Sequence, residues 1–79
     1  MVEVFKTNVT SKHQARVLVD VIQYHFKDYR VNFDLEDCDR ILRIESSQVI
    51  EPEPVVDLLK GMGIIAEILL DEPVLLIIS

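Results

Sequence analysis

The residues with the widest chemical range in this chain are His13, Cys38 and the carboxylates around Cys38. The segment Asp34-Leu35-Glu36-Asp37-Cys38-Asp39 places four acids in six positions. One sulfur, one imidazole nitrogen and one carboxylate oxygen form a ligand set that a borderline divalent ion accepts. His13, Cys38, Asp37 and Asp39 are therefore the candidate ligands of a degenerate metal carrier. Two loops far apart in sequence make a weak signal, and charged turns are usually just solvated. The expectation is a surface histidine, a loop cysteine and wet acids, with no metal and no cofactor. Redox or nucleophilic work by Cys38 fares no better. Four neighbouring carboxylates disfavour the thiolate that either chemistry needs. His25 sits near a helix end, where it suits the last carbonyls better than an ion. The chain carries no Ser/His/Asp set, phosphate-binding loop or pair of buried carboxylates, so no enzyme is expected.

Composition narrows the partners. The 79 residues allow one domain. Apolar residues make up 49% and mean hydropathy is +0.25, too high for intrinsic disorder. Net charge is −6, whereas phosphate-backbone binding rests on excess Lys and Arg, so nucleic acid is not an expected partner. The charge is uneven, with five bases and three acids in residues 1–30 and three bases and eleven acids in residues 31–79. A single cysteine forms no internal disulfide and suits a reducing compartment. The N-terminus has no basic stretch followed by an apolar one, unlike a signal peptide. The longest apolar run, residues 74–78, has five residues against the roughly 20 of a membrane span. A cytoplasmic location without a membrane span is expected.

Periodicity supplies the elements. Residues 2–9 alternate and are rich in β-branched types, which predicts a strand with Phe5, Thr7 and Val9 on one face. Ser11-Lys12-His13-Gln14 is a capping box, and a helix should run to about Phe26. Ala15, Leu18, Val19, Ile22 and Phe26 make its apolar stripe, broadened by Val17, Val21 and Tyr24. Residues 29–35 and 40–45 alternate on either side of a polar turn, which predicts a hairpin. Pro52 and Pro54 suit the first turn of a second helix with Val55, Leu58, Leu59 and Met62 on its stripe. Gly61 and Gly63 should end it, with Gly63 left-handed. Residues 64–70 read as a fourth strand, and Asp71-Glu72-Pro73 breaks it.

The order strand, helix, strand, strand, helix, strand predicts an α+β fold, the ferredoxin-like βαββαβ sandwich. Right-handed crossovers give an antiparallel sheet in the order 4-1-3-2 with both helices on one face. The domain should span residues 1–72, leaving 73–79 as an apolar tail. This topology brings the loop of residues 8–13, the hairpin turn of residues 36–39 and the turn of residues 61–63 to one end of the sheet.

With Val4-Phe5-Lys6-Thr7-Asn8-Val9 leading into the first helix, the hairpin of residues 29–45, and Leu58-Leu59-Lys60-Gly61-Met62-Gly63 before the fourth strand, the chain resembles the heavy-metal-associated domain family of copper chaperones. The resemblance covers roughly residues 2–72. In that family the loop after the first strand carries M-x-C-x-x-C, whose thiolates hold a soft ion. Here Val9 falls at the methionine position, Ser11 at the first cysteine and Gln14 at the second. The resemblance therefore implies the scaffold without its metal site, because a hydroxyl and an amide do not replace sulfur for Cu(I). Other users of this topology match less well. An acylphosphatase needs an arginine in a glycine-bearing loop, absent from Asn8-Val9-Thr10-Ser11. An RNA-recognition motif needs aromatics on the third strand, which reads Arg40-Ile41-Leu42-Arg43-Ile44. A small-ligand-sensing ACT-like regulatory domain is a further alternative, with dimerisation as the shared feature.

The fourth strand is apolar on both faces and lies at a sheet edge, and apolar edges invite pairing. The tail adds five apolar residues, each worth about 1.5–3 kcal/mol if fully buried. A fifth C-terminal strand from residues 74–78 is expected, either beside the fourth strand or in a second protomer. Ile65, Leu69, Val74, Leu76 and Ile78 are the expected interaction residues of this edge, and a homodimer or a protein partner is the expected assembly.

Overall fold

The computed structural model describes residues 1–36 and 40–69. The first strand, β1, covers Val2–Thr7, two residues less than its alternation suggests. The reason lies in Thr7. Its Oγ1 accepts from the Val9 amide at 3.3 Å, which draws the chain out of the ladder into a turn. Val9 still reaches the core, as the alternation requires.

Helix α1 covers Lys12–His25. Ser11 Oγ accepts from the Gln14 amide at 3.0 Å, as the capping box predicts. The return half is shifted by one residue, since Gln14 Oε1 accepts from the amide of Thr10 rather than that of Ser11. Ala15, Leu18 and Ile22 are buried, while Val17 and Tyr24 are exposed. At about 100° per residue those two fall on the far side of the helix, so they do not broaden the buried stripe. Phe26 ends the helix by donating to the Ile22 carbonyl at 2.8 Å, and its ring stacks on Tyr29 at 5.1 Å.

The hairpin strands are β2, Arg30–Asp34, and β3, Ile41–Glu45. Both are trimmed by local hydrogen bonding or backbone conformation. Asp34 Oδ1 accepts from the Glu36 amide at 3.1 Å, an Asx turn that stops β2 before Leu35. Arg40 takes φ 51°, in the left-handed region, so β3 begins one residue later than expected. Helix α2, Pro52–Gly61, starts on prolines and has no side-chain cap. The phenol oxygen of Tyr29 accepts from the Glu51 amide at 3.2 Å and stands in for one. Gly63, φ 83°, ends the helix while Ile64 donates to the Leu59 carbonyl at 2.9 Å. The last described strand, β4, is only Ala66–Ile68.

The sheet is antiparallel throughout and ordered β2-β3-β1-β4, the expected order read from its other edge. It is an α+β arrangement compatible with the ferredoxin-like sandwich. Both helices pack on one face. Phe5, opposite Leu42 and Ile68, sits in the middle of a core shared by Leu18 and Ile22 of α1 and by Val55 and Leu59 of α2. On the helix-free face, Ile41 is only 7% exposed despite its place opposite Lys6 and Asp34. The expected fifth strand, and with it the tail, lies outside the described residues.

Gly63 offers a direct check on this frame. A Cβ built there meets nothing within 4 Å, so only the backbone opposes a side chain. Gly63→Ala should cost about 1 kcal/mol, or a fall in Tm of about 4–8 °C. Gly61→Ala, at a helical and equally open position, should be neutral or slightly stabilising. Thermal melts of the two variants that coincide would remove the left-handed turn from the account.

Candidate functional site

The end of the sheet where β1 stops is held by hydrogen bonds among three segments. Thr7 Oγ1 donates to the Arg40 carbonyl at 2.7 Å. Arg40 returns the link, with Nη1 donating to the Val9 carbonyl at 3.1 Å. Asn8 Oδ1 accepts from the Ile65 amide at 3.0 Å. The β1–α1 loop is thus tied to the hairpin at Arg40 on one side and to the segment entering β4 at Ile65 on the other, next to the turns that the topology is expected to bring together, of which residues 37–39 lie outside the described residues. Thr7 is buried, and its hydroxyl both donates and accepts, so its one side-chain polar atom is satisfied within this seam.

Around this seam the candidate ligands divide. His13 is exposed on the first turn of α1. Asp37, Cys38 and Asp39 lie outside the described residues. Among the described residues no group of three or more His, Cys, Asp or Glu side chains is placed to hold a metal ion. The positions that resemble the thiolate sites are otherwise occupied. The Ser11 hydroxyl and the Gln14 carboxamide are both engaged in capping α1.

The apolar edge has clearer geometry. Ile65 is 62% exposed just before β4, and Ile68 is 41% exposed within it. Ile68 faces the helix layer, opposite Phe5, and borders α2 near Pro52, Val56 and Asp57. Ile65 and Glu67 point the other way by strand alternation. Leu69 is half-buried and its amide donates to the Val4 carbonyl at 2.8 Å, extending the ladder past β4. The other expected interaction residues, Val74, Leu76 and Ile78, lie outside the described residues. Among the described residues β4 has a neighbour only in β1, so its second edge carries unpaired backbone groups.

Sequence reasoning did not single out Asn8 or Arg40. Asn8 is an ordinary loop residue until its partner, 57 positions away, is known. Arg40 sits beside an acidic run that suggests a surface charge, yet its guanidinium and carbonyl both serve the seam. A third surface was also unmarked. Between α1 and the edge strand β2 runs an open groove of about 520 Å³, lined in equal part by apolar residues such as Val19, Val31 and Phe33 and by polar or charged ones such as Lys12, Arg16 and Glu36.

No helix among the described residues is long and apolar enough to cross a membrane. No family model, no curated protein and no solved structure matches this chain.

Proposed function

We propose that this chain is a small, non-enzymatic interaction and dimerisation module of the cytoplasm, built on a heavy-metal-associated-like scaffold without the cysteine pair. The observation that carries the reading is the exposure of Ile65, just before β4, and of Ile68, within it, at a sheet edge that has one described neighbour. A water-facing edge of this kind is costly to leave open, since its backbone groups and its apolar side chains are satisfied together by a further strand. The tail supplies a matching strand, with Val74, Leu76 and Ile78 on one of its faces by alternation. Exchange of that strand between two copies gives a closed twofold dimer, in which each edge is covered once.

Sedimentation equilibrium on three chains tests the reading. The full chain should be a dimer at micromolar concentration. A chain ending at Glu72, and the full-length Ile65→Lys variant, should shift toward monomer with Kd raised at least about tenfold. Full and shortened chains that are both monomers of equal stability would sink the proposal.

A further inference from the structure

The opposite edge of the sheet carries a different pattern. Strand β2 reads Arg30-Val31-Asn32-Phe33-Asp34 and borders only β3 among the described strands. Arg30, Asn32 and Asp34 are exposed on the helix-free face, opposite Glu45, Arg43 and Ile41 of β3. Val31 and Phe33 face the helix layer, with Val31 buried and Phe33 half-buried. Charged side chains usually blunt an exposed edge. On this edge the two charges are of opposite sign, a base at one end and an acid at the other with a polar residue midway, so they do not repel a reversed second copy.

Such a strand is complementary to itself when it is reversed. We propose that β2 pairs antiparallel with β2 of a second copy about a twofold axis through Asn32. In that register Arg30 stands opposite Asp34 of the second copy, and Asp34 opposite Arg30 of the second copy. Val31 stands opposite Phe33 of the second copy on the other face. Two opposite-charge pairs and two apolar pairs form together, and cross-strand pairs are the unit of sheet stability. A slip by two residues sets Arg30 either opposite Asn32, which breaks both charge pairs, or opposite Glu36, which lies past the Asx turn that ends β2. The open groove between α1 and β2 shows that α1 does not close over the edge, which leaves the strand accessible to a second copy. The four described strands of each copy then join into one continuous sheet. This contact lies at the edge opposite β4 and is the weaker of the two, joining β4 dimers edge to edge only above the micromolar range in which those dimers form.

A cysteine at the axis reads the contact directly. Facing Cα atoms of an antiparallel pair are about 4.5–5.5 Å apart, within the roughly 4.4–6.8 Å that a disulfide spans. Full-length chain with Asn32→Cys and Cys38→Ser should oxidise rapidly to a covalent dimer. The same Cys38→Ser background with Val49→Cys in place of Asn32→Cys, an exposed position outside the strands, should not. Adding Arg30→Asp or Asp34→Arg to the Asn32→Cys chain sets like charges opposite each other and should slow cross-linking about tenfold. Adding both reverses the pairs and should restore the parent rate. Absence of the cross-link at position 32, equal cross-linking at position 49, or failure of the doubly charge-reversed chain to recover would overturn the proposal. None of these readouts depends on residues 73–79, so the β4 reading can fail without affecting them.

Discussion

Phe5→Ala is expected to remove a large share of the stability of the fold. Phe5 is fully buried and lies between Leu42 and Ile68 in the sheet, beneath both helices. Truncating such a ring costs about 3–5 kcal/mol through lost burial and the cavity left behind. Domains of this size have roughly 0.05–0.15 kcal/mol per residue, about 4–12 kcal/mol in all. The substitution therefore removes a large share of the stability, and all of it at the lower limit. Urea unfolding followed by far-ultraviolet circular dichroism measures the change. Phe5→Leu, which keeps most of the volume, should cost about 1–1.5 kcal/mol. A loss below about 1 kcal/mol for Phe5→Ala would mean that the core is centred elsewhere.

Thr7→Val should be the most damaging change of nearly constant shape. The two side chains differ by one hydroxyl in place of a methyl group. That hydroxyl donates to the Arg40 carbonyl at 2.7 Å and accepts from the Val9 amide at 3.3 Å, with Thr7 only 7% exposed. Removing it leaves the Val9 amide without this partner in a buried place, at a cost of about 1–3 kcal/mol. Arg40 suffers next, because its left-handed backbone, φ 51°, is held in part by the bond to its carbonyl. Thr7→Ser keeps the hydroxyl and should recover more than half of the loss. The measurement is again the urea midpoint, joined by amide hydrogen exchange at Val9, which should speed up in Thr7→Val but much less in Thr7→Ser. Equal exchange in the two variants would show that the hydroxyl does not hold the seam.

The two cases differ in how far they are legible in the sequence. Phe5 and its buried neighbours follow from alternation in the strands and from the helical stripe, because burial on one face imposes a period on the sequence. The same alternation places Thr7 on the inner face. It does not reveal the polar partners of Thr7, because a hydrogen bond across 33 residues leaves no periodic trace. Strand ends show the same limit. Side-chain hydrogen bonds from Thr7 and Asp34 stop β1 and β2 inside their alternating segments. Val17 and Tyr24 show the converse, as residues on the exposed side of α1 that their apolar character alone assigns inward.

For function, the chemistry of residue types sets the first bounds. A lone cysteine, a net charge of −6 and the serine and glutamine at the cap of α1 are legible at once. The excess of apolar residues points to the fourth strand, and Ile65 and Ile68 are exposed there. The order that puts β2 and β4 at the edges follows from the element sequence as well; what the tertiary structure alone decided is the register along those strands and where each of them stops. Hydrogen bonding between strands is set by their order in the sheet, and β2-β3-β1-β4 leaves β2 and β4 each with one described neighbour. The self-complementary pattern of β2 is present in the sequence by itself. It acquires meaning only when the sheet leaves that strand at an edge, because an interior strand with the same residues has no free backbone groups to offer a second copy.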